Sequence, residues 1–349
     1  MAEEELIIEN KKPKRLKIFL IILIAVAIYF LFPKILGLQQ VVKLLHTANP
    51  YYLIFALAAE VVSYIGAAFL LKIIFNRLKY HLPFFDLMKF SSIAAFAIHI
   101  LPIGGFGEAA IMYYLLRKRN ISSGDTLFTF IIRSIFTYVG FFSVFAVGLI
   151  LLPTHHSISL TQKIISLSLF VGLVFLIIWL VRLYHKRKQF WVIAGKFLAI
   201  INWLSKKILK HRFYADDKVP TIIDDVYQGI GLFSNKKSLW ISASLSGALY
   251  WLGDMFCLYF ALMCFGYQIT IGGLIFAYCL SFLAGLISFI PGGVGIIEGS
   301  LALLLISLGV PSGPALFSIL VFRFISFWIL IPIGFWSFLT LKNKQNSKT

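Results

Sequence analysis

The sequence predicts an all-α polytopic membrane protein, an inverted-topology repeat with six full crossings and two Pro/Gly-broken helical hairpins. Three observations predict it. Composition is the first: 60% of the residues are hydrophobic and 13% charged, with a mean hydropathy of +0.91, against roughly 45 to 50% apolar and 25% charged in a soluble domain. The second is that the apolar runs match or exceed the roughly 20 residues a helix needs to cross a bilayer. The third is a pattern of breaker, Glu and Arg that occurs twice along the chain.

The elements follow in order. Ile18 to Phe32 succeeds the basic string "KKPKR", and "PKILGLQQ" after it lacks the small residues of a cleavage site. We therefore expect an uncleaved anchor helix and interfacial segment over 1–50, with its N-terminus in the cytoplasm. The six crossings are expected at about 17–33, 51–71, 124–152, 164–184, 239–262 and 314–340. Phe84 to Leu116 and Ile271 to Leu308 are too long for one crossing, and Pro with clustered Gly interrupts each. They read as hairpins of shorter helices, either re-entrant or a tight pair.

Flanking charge assigns the sides. Lys72, Arg77 and Lys79 before the first hairpin, and Arg117, Lys118 and Arg119 after it, put both its ends in the cytoplasm. The second hairpin lies between "CFGYQIT" and "SLGVPSG", which carry no Lys or Arg, so its ends belong outside. This gives repeat 1 over 51–152, a connecting helix over 153–184, a cytoplasmic amphipathic linker over 185–238, repeat 2 over 239–341 and a basic cytoplasmic tail over 342–349. The linker alternates basic and apolar residues, as a helix lying on an anionic inner leaflet does.

The 32 Lys and Arg against 14 Asp and Glu do not indicate nucleic acid, because they cluster beside apolar spans, where they set topology and meet anionic lipid. Cys257, Cys264 and Cys279 have no CxxC spacing and read as packing residues. No nucleophile elbow, Walker loop, Rossmann fingerprint or HExxH occurs. No catalytic residue, metal or cofactor is expected.

The repeat aligns Glu108 with Glu298, Ser122 with Ser312 and Arg133 with Arg323, all at an offset of 190, so that Glu and Arg are 25 residues apart in both copies. Upstream, "LPIGGFGE" and "IPGGVGIIE" align with one gap. Irregular backbone at membrane depth survives only where protein buries it or water lines it. Pro102, Gly104, Gly105 and Gly107, and likewise Pro291, Gly292, Gly293 and Gly295, therefore mark a protein-lined cavity at the repeat interface. The helices restarting there offer N–H groups and a positive dipole end to an anionic head group. Charges within spans default to functional groups with a partner. Glu108 with Arg133 and Glu298 with Arg323 are candidates for ion pairing and for substrate contact. Glu60 and Asp254, near the middle of the helices that open each repeat, are approximate symmetry mates. His99 is more simply a hydrogen-bonded core residue than a proton relay, and the adjacent His155 and His156 are a poor metal spacing.

At "LPIGGFGE" and "IPGGVGIIEGSLALLL" with the Arg-bearing helices that follow, the chain resembles the transmembrane region of bacterial lysylphosphatidylglycerol synthases, the multiple peptide resistance factors. The resemblance covers about residues 15–340 and is most specific at Pro291 to Glu298. It implies a multi-pass protein of the bacterial cell membrane that moves an aminoacylated phospholipid such as lysylphosphatidylglycerol to the outer leaflet, giving resistance to cationic antimicrobial peptides. In that family the lysyl transferase is a separate soluble domain, and a chain ending at Thr349 is expected to lack it. The resemblance leaves room for a partner synthase or a homo-oligomer. Two alternatives remain: phosphatidylglycerol lysyltransferase activity, which the family name suggests, and ion- or proton-coupled transport of a small solute.

Overall fold

Tyr51–Arg77, Ser123–Ile150, Lys237–Cys264 and Ser312–Leu341 have the length and hydropathy of bilayer crossings, and each is helical in the computed structural model. They answer to four of the six expected crossings. The structure describes residues 48–100, 105–151, 237–288 and 290–346, with scattered positions between 164 and 227. The expected anchor helix at 17–33 lies outside these residues, as do most of the 164–184 crossing and most of the 185–238 linker. Among the described residues there are helices and no strands.

The first half contains α1 (Tyr51–Arg77), α2 (Phe84–Ile100), α3 (Gly105–Arg117) and α4 (Ser123–Ile150). The second contains α5 (Lys237–Cys264), α6 (Ile271–Ile287), a 3-10 turn (Pro291–Gly293), α7 (Ile296–Ser307), α8 (Ser312–Arg323), a π turn (Phe324–Trp328) and α9 (Leu330–Asn346). The succession of lengths repeats: α2 and α6 both have 17 residues, and α3 and α7 have 13 and 12. At 1.5 Å per residue the last two rise only about 18 to 20 Å, short of the ~30 Å hydrocarbon core. Each stretch is thus a pair of short helices, and in the second the break falls at Pro291–Gly293.

Helix ends repeat as well. After α1, α3, α5 and α7 the chain turns through a left-handed residue: Lys79 (φ 63°), Asn120 (φ 60°), Gly266 (φ 76°) and Gly309 (φ 92°). In each case the next N–H donates back to a carbonyl in the last turn: Tyr80 to Phe75 at 2.8 Å, Ile121 to Leu116 at 3.3 Å, Tyr267 to Leu262 at 3.2 Å and Val310 to Leu305 at 3.0 Å. This closure satisfies carbonyls that the helix itself leaves without donors.

The halves meet along α1 and α5. Phe55 faces Phe260 and Tyr64 faces Tyr250, while a Cβ on Gly66 would sit 2.9 Å from the carbonyl oxygen of Ser246. Residue numbers rising along α1 meet numbers falling along α5, so these helices run antiparallel. Gly253 permits the approach from the other side, since a Cβ there would lie 2.5 Å from the Ser63 amide and 2.7 Å from the Ala59 carbonyl oxygen. Without a hydrophobic drive between helices in lipid, such small-residue contacts carry association through van der Waals packing. α4 runs parallel to α5, with Phe136 beside Trp240 and Phe141 beside Trp251, and the Trp251 indole donates to the Thr137 carbonyl at 2.7 Å.

The hairpins are exchanged between halves: α2 packs on α9, and α6 packs on α4. A Cβ on Gly334 of α9 would stand 2.5 Å from the Ser92 carbonyl oxygen of α2, and Gly148 of α4 abuts Ile275 of α6. Because α1 and α5 are antiparallel, their C-terminal ends, from which the hairpins start, lie at opposite ends of the bundle.

Candidate functional site

The second breaker builds a compact polar centre. Gly292 and Gly293 both have φ 62° and Gly295 has φ 86°, backbone that side chains strain to adopt. The reversal places the Gly292 carbonyl and the start of α7 in front of Arg323, the last residue of α8. Arg323 donates through Nε to Glu298 Oε1 at 2.5 Å and through Nη2 to the Gly292 carbonyl at 2.7 Å. Its guanidinium also lies 4.7 Å from the centre of the Phe327 ring. Glu298 has a second task, accepting the Gly295 N–H on Oε2 at 2.5 Å. One carboxylate thus caps its own helix and neutralises a buried guanidinium, the arrangement in which a charge in a low-dielectric interior is tolerated.

This revises one physical expectation for the restarting helix. Its Gly295 N–H is occupied by Glu298, so that donor is not a vacant anion seat. Gly293 is a packing position as well as a turn residue, since a Cβ there would meet Ile297 at 2.6 Å and the Gly285 Cα at 3.3 Å. Open space lies instead at Gly295, where a Cβ would meet nothing within 4 Å. The Pro291 backbone belongs to the turn.

In the first half, Glu108 stands in the opening turn of α3 and pairs with Arg133 Nη1 from the middle of α4. Gly105 and Gly107 lie in that same turn and have helical backbone. Pro102 and Gly104 lie outside the described residues. Arg133 helps to wall a cleft shared with Leu71, Met112, Tyr113, Thr129 and Phe130. Its side chain retains 14% exposure against 8% for Arg323.

The register of α1 on α5, which sets Tyr64 against Tyr250 and Gly253 against Ala59 and Ser63, puts Glu60 across from Asp254. The Tyr278 hydroxyl of α6 donates to Asp254 Oδ2. His99 is half-buried near the end of α2, its ring 4.3 Å from that of Phe327, and its Nδ1 has no hydrogen-bond partner. His155 and His156 lie outside the described residues. The three cysteines are buried and free.

Sequence reasoning missed Phe327 and Tyr278. Phe327 touches Arg323 and His99 and closes over Gly292, but it is one of 35 phenylalanines and nothing in its neighbourhood distinguishes it. The tyrosine in "FAYCLSF" carried a weak signal, a hydroxyl inside an otherwise apolar membrane helix.

The model of the lysylphosphatidylglycerol synthase TM region matches residues 17–334. The chain belongs to this family. Among its relatives, a UPF0104 membrane protein of Methanocaldococcus jannaschii is 24% identical over 90% of this chain and 91% of its own length. A second UPF0104 membrane protein, from Pyrococcus horikoshii, is 22% identical over 95% of this chain and 98% of its own. A phosphatidylglycerol lysyltransferase of Staphylococcus aureus is 26% identical over 71% of this chain, yet the match covers 30% of that enzyme. The family of the lysylphosphatidylglycerol synthase TM region thus includes membrane proteins of this chain's length and the membrane part of longer enzymes.

Proposed function

We propose that the protein translocates an aminoacylated phospholipid, such as lysylphosphatidylglycerol, from the inner to the outer leaflet of a cell membrane. The two halves act as an inverted-topology repeat with both termini in the cytoplasm, and the antiparallel α1 and α5 with hairpins starting from opposite ends support that reading. Sites in such transporters lie at the interface of the repeats, where one half rocks against the other. The observation that carries the proposal is the Glu108–Arg133 ion pair inside the first half, where Arg133 lines a small cavity of about 10 Å³ that the rocking of the halves would have to open to admit a head group. A guanidinium there meets a lipid phosphate and the carboxylate meets an ammonium of the aminoacyl group, so both signs of charge on a head that is cationic overall find a complement. Resemblance to the membrane part of a phosphatidylglycerol lysyltransferase gives the lipid class.

The test is reconstitution into liposomes carrying lysylphosphatidylglycerol only in the inner leaflet, with its arrival outside read by an impermeant amine-reactive dye. We expect transfer well above protein-free vesicles, and little transfer of phosphatidylethanolamine. Absence of lipid transfer alongside uptake of a small solute would replace this reading with the solute-transporter one.

A further inference from the structure

The crossing of α1 and α5 encloses an acidic cluster that neither Glu–Arg pair uses. Glu60 is 6% exposed and faces Asp254, which is partly open, and among the described residues neither carboxyl is in an ion pair. The α1–α5 register sets the two carboxyls across from each other away from bulk water, where both cannot hold full charge at once, so a proton on one of them makes the arrangement tolerable. Tyr278 donates to Asp254, which makes Asp254 the acceptor and Glu60 the proton holder. Two further oxygens in this crossing have no partner: Glu60 Oε2, and the hydroxyl of the fully buried Ser63, one turn along α1 and packed against Gly253. The other titratable or charged groups around the pair are Tyr64 on α1, Tyr250 and Cys257 on α5, Arg133 on α4 and Arg323 on α8.

We propose that Glu60 and Asp254 form a proton-binding carboxyl pair that couples substrate movement to a transmembrane proton gradient, a proposal that rests on the translocation reading above. When the site releases its proton, the O–H bond of the Glu60 carboxyl breaks and its electron pair stays on the oxygen. The proton passes to water at the open edge of Asp254. Two carboxylates then repel across the closest approach of α1 and α5, where Gly66 and Gly253 leave no slack, and the helices that open the two halves are driven apart. Reprotonation lets them close. The site thus lies where any rocking of one half on the other must be felt.

The experiment uses the same liposomes with an imposed pH gradient, a sodium gradient, or neither. In the wild type the pH gradient should accelerate lysylphosphatidylglycerol transfer. In Glu60→Gln, which keeps the shape of the neutral side chain but cannot release a proton, acceleration by the pH gradient should be lost while the melting temperature stays near wild type. Retained acceleration in Glu60→Gln overturns the proposal, as does acceleration of the wild type by sodium alone. Infrared difference spectra after a pH step supply a readout independent of lipid: a protonated-carboxyl band should titrate in the wild type and vanish in Glu60→Gln. If the band behaves so but no lipid moves under any condition, the proton site stands and the translocation reading falls. If the wild type shows no such band, the proton site itself is excluded.

Discussion

The two halves repeat the same frame and furnish it differently. Glu and Arg are 25 residues apart in both, yet Arg323 is tied to Glu298, the Gly292 carbonyl and the Phe327 ring, whereas Arg133 pairs with Glu108 at the wall of a cleft. The helix bearing Arg133 runs unbroken from Ser123 to Ile150, while the one bearing Arg323 passes into a π turn directly after it. Such turns mark functional places in helices; here the turn brings Phe327 round to cover the guanidinium. The difference teaches that a repeated ion pair need not have a repeated job. The second pair locks a strained turn in place, whereas the Arg133 guanidinium carries no such backbone tie and borders a small cavity.

The largest effect that would break this comparison comes from removing the arginines. Arg323→Ala strands Glu298 and the Gly292 carbonyl together, and truncating one member of a buried pair costs about 3 to 5 kcal/mol. We expect loss of most folded protein, read as a collapse of the monodisperse peak in detergent gel filtration. Arg133→Ala strands the more buried Glu108 but breaks one contact where Arg323→Ala breaks three, so the folded yield should fall less and, on the translocation reading, lipid transfer more. Equal losses of yield in the two variants would erase the distinction between a locking pair and a ligand-facing one.

A middle-sized effect separates the glycines of the second breaker. Both Gly293 and Gly295 have positive φ, and such backbone costs a side chain about 1 to 3 kcal/mol. Gly293→Ala adds a collision with Ile297, whereas Gly295→Ala extends into open space. The melting temperature should therefore drop further in Gly293→Ala. If Gly295 borders the path of a head group, Gly295→Leu should slow transfer beyond what its stability loss explains. Transfer that tracks stability in both variants would confine these residues to packing.

How much of this was legible in the sequence follows from what each signal depends on. Hydropathy and flanking charge are properties of continuous segments, so four of the crossings and both broken hairpins could be read within a few residues of where the helices lie. The pairing of Glu108 with Arg133 and of Glu298 with Arg323 was visible because it recurs at one spacing. The meeting of Glu60 with Asp254 was only half visible. Their positions gave approximate symmetry, but their placement across from each other depends on the antiparallel register of α1 and α5, which Gly66 and Gly253 set through space. Phe327 was invisible because a π turn, which periodicity does not show, swings it toward Arg323.

The smallest effect concerns the helix ends, where the two halves share a shape and differ in residue. Lys79 and Gly266 occupy matching left-handed positions after α1 and α5, at φ 63° and 76°. An L side chain in that region costs about 1 kcal/mol relative to glycine. A Cβ on Gly266 would meet nothing within 4 Å, so backbone strain is the whole penalty there. Lys79→Gly should then raise stability by about 1 kcal/mol and Gly266→Ala should lower it by about as much, both read from thermal melts of purified protein. A lysine in a position made for glycine needs another reason to be there. Lys79 belongs to the basic group expected, by the positive-inside rule, to hold the start of the first hairpin on the cytoplasmic side, while the matching end of α5 carries none. In Lys79→Gly the extra stability should therefore come with a larger fraction of chains inserted the wrong way, scored by labelling a cysteine placed at Lys118 from outside intact cells. A variant more stable and still uniformly oriented would show that Arg77 and the Arg117 to Arg119 cluster set the side alone, leaving the strained lysine without a topological role.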